Sequence, residues 1–512
     1  MKLFSVSFCR IFILSLFVAI SSTSSAHQKV HTEDNPATNF RFLESFVHYW
    51  HALEETITTN FHNLVEYFDN IFHCSHPKNS KFNYDVTLVG FVNFADGIGR
   101  HPILFKQCLE GNAKMNFLST RDIPAAVEDA QLGLPRLDPA KQADIGAVAI
   151  LTDILADKAL NLYKKMPDSP IKIAYSMFES TDIPHNWAPI LNSKFDMVVV
   201  PDPFLVGVYK KCGVQLPIFV LPLPLMLHEF LKLPQPTAPH TPFVFGMSGG
   251  FWNRKNHMRV LEAFAAEFGN RSDVKLRLHG RFGEEDVIKA LADKIAEYQL
   301  SNVELIVKPF NQDEYIEFFK SLDCYVFLSM GEGFSITPRE ALACGKPCIL
   351  SKNTAQITIC NSGTVKVVRS DIQVPALYDC HYDNNYITDT GLDHTKNFLH
   401  MNTLGLLDTF VLNEEADLLW RSANIGYQFD CTVRDARKAM QSVYKHYNYH
   451  LARAAKGREW VKRYLPENLS DKYINLVKPK SIVLGDENII GDTFLMTNSK
   501  TLYEKYQHIL GN

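Results

Sequence analysis

This chain lacks a large excess of either positive or negative residues. Its 52 Lys and Arg residues against 56 Asp and Glu leave a net charge of −4 over 512 residues. That excludes the broad positive face that general nucleic-acid binding needs, so any phosphate recognition must come from a local site. No Cys-x2-Cys pair occurs, which removes the usual pattern of a structural zinc site. Charged residues make up 21% and hydrophobic ones 46%, a balance that fits neither a disordered chain nor a polytopic membrane protein. The length does allow more than one hydrophobic core, about two to four domains.

The ten cysteines leave the redox compartment open. Loss of a leader containing Cys9 leaves an odd number, so at least one thiol has no partner within the monomer. Cys324 and Cys344 lie in apolar surroundings, where cysteine acts as a small hydrophobe. Cys344-Gly-Lys-Pro-Cys348 reads as packing at a helix-to-strand turn. Asn270 and Asn468 head two Asn-x-Ser sequons, a number near chance.

The N-terminus has the architecture of a signal peptide. Lys2 and Arg10 precede the apolar run Ile11–Ile20, and Ser24 and Ala26 stand where cleavage before His27 would need small residues. The run is short against the roughly 20 residues of a spanning helix. Two readings stand for residues 1–26: a cleaved leader, or a weak anchor from Leu3 to Ala26 that associates the protein with a membrane. In both, the basic flank favours export of the chain beyond residue 26. A secretory or exported location is therefore expected, with ER or Golgi lumen, periplasm and secretion all open.

Beyond the leader, Leu43, Phe46, Trp50, Leu53, Ile57, Asn60, Leu64, Tyr67 and Ile71 recur at spacings of three and four. This predicts a helical stem or extension over residues 27–84, favoured as a helix or hairpin packed on the body rather than a coiled coil. Prolines from Pro217 to Pro242 mark a linker and a domain boundary near 240.

Strand, glycine loop and helix start come together at Gly331–Gly345. The apolar run Cys324–Leu328 reads as a buried strand, Gly331 and Gly333 let a backbone approach a ligand, and Thr337-Pro338 starts a helix. Free N–H groups at a helix start attract anions. Glu332 and Glu340 bracket the turn, making a cradle suited to a sugar diphosphate. A second reading makes Thr337 and Glu340 a capping box. Glu332, between two glycines at a strand end, has no such structural explanation.

The stretch from Glu332 to Glu340, continued by Ala341-Leu-Ala-Cys-Gly-Lys-Pro347, resembles the E-x7-E signature of retaining GT-B glycosyltransferases of family 4 (glycosyl transferases group 1). Gly246-Met-Ser-Gly-Gly-Phe-Trp-Asn-Arg-Lys-Asn256 resembles that family's phosphate-binding loop. The resemblance covers about Asp85 to Lys478. It implies an α/β chain of two doubly wound Rossmann-like domains facing a cleft, over residues 85–240 (acceptor side) and 241–480 (nucleotide-sugar side), followed by a tail over 481–512.

By the same resemblance, Glu332 contacts the donor sugar and Glu340 the ribose hydroxyls. Gly333, Phe334 and Ser335 belong to the donor loop. Arg254 and Lys255 would hold the diphosphate, Arg254 replacing an arginine the family carries where this chain has Gly250. Gly97 and Gly99, in the first strand-to-helix turn, would lie on the cleft floor, with Arg100 beside them. Many family members carry an active-site histidine in the first domain. Here Glu179 ends the corresponding strand instead, with His185 six residues on, and Glu179 is the candidate for the acceptor side. The region Asp371–Asn424 matches less well and reads as an elaborated loop that sets acceptor choice.

The implied reaction moves a sugar from a nucleotide-diphosphate sugar to a glycan, lipid or protein. No Asp-x-Asp occurs, which disfavours a metal-held diphosphate, so neither metal nor resident cofactor is expected. Other classes compatible with the motif are an epimerase, a phosphorylase or a non-catalytic nucleotide-sugar binder.

Overall fold

The computed structural model describes residues 82–93, 97–120, 132–137, 144–155, 162–377 and 424–511. The leader and the helical stretch around Leu43–Ile71 lie outside the described residues, as does most of the expected elaboration between Asp371 and Asn424. All described elements fall in one unit, Phe82–Asn512.

Short runs of β-branched and other apolar residues, buried on both faces, are what parallel strands require. The first six are β1 (Tyr84–Gly90), β2 (Met115–Ser119), β3 (Gly146–Leu151), β4 (Ile171–Tyr175), β5 (Met197–Val200) and β6 (Ile218–Val220). They pair in the order β2-β1-β3-β4-β5-β6, all parallel. Gly90, the last residue of β1, has no room for a side chain, because a Cβ there would lie 2.4 Å from the Thr152 hydroxyl. Strands β2 and β3 carry no clear strand signal of their own. Gly-Ala-Val-Ala-Ile-Leu suits a buried helix as well as a strand, and only pairing with β1 decides.

The second sheet contains β7 (Phe243–Ser248), β8 (Val274–Gly280), β9 (Val303–Val307), β10 (Cys324–Phe327), β11 (Cys348–Ser351) and β12 (Lys366–Val368). Its order is β12-β11-β10-β7-β8-β9, again all parallel. The two doubly wound sheets expected from the sequence are therefore both present. In the second, strand order reverses between β7 and β10, so the loops after these two strands open beside each other at the topological switch point. The linker is tied to this sheet by buried Asp323, whose carboxylate accepts the backbone N–H groups of His240 (2.9 Å) and Val244 (2.7 Å).

An antiparallel pair, β13 (Ile372–Leu377) and β14 (Asn424–Asp430), comes after β12. The chain then runs through helices Val433–Lys445 and Tyr447–Val461 and crosses to the first domain in helix Pro466–Val477. There Tyr473 meets Phe105 edge-on at 4.8 Å and donates its hydroxyl to Pro222 O at 3.0 Å. Burying a ring of this size contributes about 1.5–3 kcal/mol. Residues 481–511, expected as a tail, are folded. They form β15 (Ile482–Leu484), β16 (Ile489–Ile490), β17 (Leu495–Thr497) and helix Lys500–Leu510. Leu495, Leu502 and Tyr506 are buried, and Lys505 reaches Asp196 of the first domain at 2.6 Å. A few apolar side chains, two of them one helical turn apart, hold this segment on the body.

Two histidines are buried in the second domain, His257 at the start of a helix and His279 on β8. Burial pushes His257 down to about 3 and His279 down to about 4. His279 stacks on Phe310 at 3.8 Å, with its ring nitrogens 2.9 Å from Ser248 Oγ and 3.0 Å from Lys308 O. The unfolded chain takes these protons near pH 6.5, so it binds more protons than the folded chain as pH falls below that value. Stability should therefore decline from pH 7 toward 4, by up to about 2 kcal/mol per histidine at pH 5. Thermal unfolding at pH 7, 6 and 5 should show this slope, and His257→Leu should flatten it. An unchanged slope in that variant would refute the assignment.

Candidate active site

The site is built where the switch-point loops meet. After β7 the chain makes a tight turn over Asn253–Lys255, then Asn256 takes the left-handed conformation (φ 63°) that aims both cations inward before helix His257–Phe268 begins. The loop after β10 is tied to it by backbone: Met330 N–H donates to Arg254 O at 2.8 Å, and Ser329 Oγ donates to the same oxygen at 3.2 Å. Sequence distance disappears here. Residues some 77 positions apart share one hydrogen-bond network.

Glu332 stands at its centre. Its Oε1 accepts Lys255 Nζ at 2.6 Å, Ser329 Oγ at 2.7 Å and Arg254 Nη1 at 3.1 Å. Its own N–H donates to Thr354 Oγ1 at 2.9 Å. Burial alone would push the Glu332 carboxyl up, but Lys255 and Arg254 outweigh it and hold the group below the ordinary carboxylate range. Burial and neighbouring Arg254 push Lys255 down from its usual value, because two cations share this carboxylate. Lys255 also lies 5.3 Å from the Phe327 ring centroid.

The first domain supplies the fourth charge. Glu179, at the exit of β4, meets Arg254 Nη2 at 2.9 Å. The structure thus brings Arg254, Lys255, Glu332 and Glu179 into one cluster of two cations and two carboxylates. Gly331 and Gly333 explain how the loop comes so close to the other domain. A Cβ on Gly331 would lie 2.0 Å from Glu179 O, and one on Gly333 would lie 3.1 Å from the Met177 side chain.

The remaining candidates lie along the next helix. It begins at Ile336, with Ser335 as a left-handed N-cap (φ 67°) whose side chain makes no capping bond. Ser335 Oγ is buried with no hydrogen-bond partner among the described residues. The capping-box bonds are not formed. Glu340 instead accepts Tyr315 Oη at 2.7 Å and pairs with Arg100 Nη1 of the first domain at 3.4 Å. A carboxylate accepts up to about four hydrogen bonds, so Glu340 retains capacity for a ligand. Phe334 is buried under Arg339, whose guanidinium stands 3.9 Å from that ring and 4.6 Å from Tyr464. Arg339 also donates to Ser335 O at 2.8 Å and to Phe334 O, which holds the left-handed turn.

Gly97 and Gly99 belong to the turn before helix His101–Leu109. A Cβ on Gly97 would lie 3.8 Å from Ile336 Cδ1, so this turn faces the helix start at Ser335. Gly99 is needed for its own turn: a Cβ would come within 2.8 Å of Asn93 N. Gly250, where the family carries an arginine, has no room for a side chain beside Trp252 Nε1 at 2.6 Å. His185 is exposed, whereas the central Glu332 is buried. Sequence reasoning missed Ser329, Thr354, Tyr315 and Arg339. Hydroxyls and a buried arginine carry no spacing signal of their own.

Known proteins share this fold. A glycosyltransferase from Rickettsia africae ESF-5 superposes with a TM-score of 0.52 at 13% identity, over 78% of this chain and 98% of that one. HepE (Alr3699) of Anabaena, solved in complex with UDP and glucose, gives 0.51 at 10% identity, over 77% and 99%. No curated protein matches the chain by sequence. The fold is that of the GT-B glycosyltransferases. Residues 231–368 match the family described as Glycosyl transferases group 1, so the chain carries a glycosyltransferase domain of that group.

The close approach at Gly331 is testable. Gly331→Ala should separate Glu179 from the loop after β10 and lower turnover at least about 100-fold, as expected for displacement on the order of 1 Å. Gly207→Ala is the control. It lies on a helix with open space around it and should raise thermal stability slightly while leaving turnover unchanged. Equal effects from the two changes would contradict the argument.

Proposed function

We propose that the protein transfers a sugar from a nucleoside-diphosphate sugar to a glycan, lipid or protein acceptor, with retention at the anomeric carbon and without a metal ion. One observation carries this reading. Arg254 and Lys255 converge on Glu332 at the switch point, close to a helix start whose buried Ser335 hydroxyl has no hydrogen-bond partner among the described residues.

The chemistry is set by charge. As the bond from the anomeric carbon to the phosphate oxygen breaks, the ring gains positive charge and the diphosphate gains negative charge. Arg254, Lys255 and the N-terminal end of helix Ile336–Ala343 supply fixed positive charge for the leaving group. With that charge and no Asp-x-Asp in the chain, a cation is not required. Glu332, kept ionised by its two cations, steadies the oxocarbenium-like ring. The acceptor oxygen bonds the anomeric carbon on the face the phosphate leaves, and its proton passes to the departing phosphate oxygen. Glu179 comes from the domain an acceptor would approach and supplies a carboxylate there. Tyr315 and Arg100 orient Glu340 toward the ribose. The UDP in the Anabaena structure makes UDP-sugars the first donors to test. The leader supports export, so the natural acceptor is sought outside the cytosol.

Purified protein incubated with a panel of nucleotide sugars should release nucleoside diphosphate, and EDTA should leave the rate unchanged. Glu332→Gln should lower the rate about 100- to 1,000-fold with the fold intact by circular dichroism. Nuclear magnetic resonance of the product should show the donor's anomeric configuration. Isomerised donor without nucleotide release, or full turnover in Glu332→Gln, would overturn the proposal.

A further inference from the structure

Strand β14 touches both sides of the site. At its C-terminal end it joins the donor loops: Phe429 N–H donates to Met330 O at 2.8 Å, and Asp430 accepts Asn256 Nδ2 at 2.7 Å and Arg259 Nη2 at 2.5 Å. At its other end it binds the first domain just beyond Glu179. Ser180 Oγ donates to Ile425 O at 2.6 Å, Thr181 N–H donates to Tyr427 O at 3.0 Å, and Tyr427 N–H donates to Thr181 Oγ1 at 2.9 Å. Gly426 makes this possible. Its φ is +70°, and a Cβ there would lie 2.6 Å from Thr181 Oγ1 and 2.2 Å from Asp182 Oδ2. Asp182 is itself held by Lys211 at 2.7 Å.

The backbone from Glu179 to Thr181 is thus held by Gly331 at one end and β14 at the other, and the Glu179 carboxylate meets Arg254 at 2.9 Å. Arg254 is one of the two cations assigned to the donor's diphosphate. A carboxylate already on its Nη2 competes with that anion for the same donor group. Without Glu179 the cluster holds two cations and one carboxylate, a net positive site suited to an anion.

We propose that β14 is a positioning strap. Through Thr181 and Gly426 it holds Glu179 against Arg254, so that this carboxylate competes with the diphosphate and sets how tightly the nucleotide product is retained. Glu179 is then an affinity-setting residue, and Thr181 and Gly426 act through it. This rests on the reading that Arg254 holds the diphosphate.

The test is calorimetric binding of UDP and of inorganic pyrophosphate to the full chain. Glu179→Gln should bind both about tenfold more tightly, with the gain shrinking at high salt. Thr181→Val and Gly426→Ala should also tighten binding, by a smaller factor, and Thr181→Ser should restore wild-type affinity. Adding Thr181→Val to Glu179→Gln should give no further gain. The sign is diagnostic, because simple damage to the fold would weaken binding. Tightening by Glu179→Gln with none from either strap variant would overturn the strap. Weaker or unchanged binding in Glu179→Gln would overturn the competition itself. Failure of wild type to bind either anion at millimolar concentration, or undiminished affinity in Arg254→Gln, would instead remove the donor-site reading beneath it.

Discussion

One shared carboxylate oxygen organises this protein. Lys255 and Arg254 both converge on Glu332 Oε1, with Ser329 as a third donor. Taking such charges out of water costs several kcal/mol each, and the cost is offset only when geometry is close and remaining donors are satisfied. That requirement explains much around it. Asn256 is left-handed, Ser335 is left-handed and Thr354 has a positive φ, each turning a loop so that a polar group meets its partner. The strand order reversal between β7 and β10 brings the two loops together in the first place.

The same cluster joins the domains. Glu179 meets Arg254 and Arg100 meets Glu340, so each glutamate of the donor motif belongs to a network that includes a charge of the first domain. These polar contacts define alignment, while apolar packing holds it. Arg339 lies between Phe334 and Tyr464, Tyr464 O accepts Leu225 N–H at 2.7 Å, and helix Pro466–Val477 carries Tyr473 onto Phe105. Any anion entering here meets charges already committed to one another. Its affinity is a difference between new and displaced pairs, which is where Glu179 and β14 gain their importance.

Much of the candidate site was legible in the primary structure because its residues lie in two short local patterns. The glycine loop near Arg254 and the Glu332–Glu340 segment each combine a strand end with a turn, and local patterns survive without knowledge of the fold. Glu340 was ambiguous between a helix cap and a ligand-facing role. Local spacing could not separate these, since Tyr315 and Arg100, which draw it away from the helix start, lie 25 and 240 positions off. Strand β3 escaped for a related reason: alanine-rich apolar runs have no periodicity that favours strand over helix. The C-terminal stretch looked like a tail because its apolar residues before the last helix fall in runs of two or three, Ile482–Leu484, Ile489–Ile490 and Phe494–Met496, too short to mark an element, yet Leu495, Leu502 and Tyr506 are buried once a surface is there to receive them.

Hydrophobic runs, glycines and prolines act within a few residues of themselves, so the linear order already specified two parallel-sheet domains, a proline-rich stretch between them and two glycine-bearing loops at strand ends. That Glu179 faces Arg254, that Arg100 reaches Glu340 and that β14 fastens to Thr181 emerged only on folding. Those contacts join residues from separate sheets, and no spacing along a chain records which loops will meet once strands have taken their order.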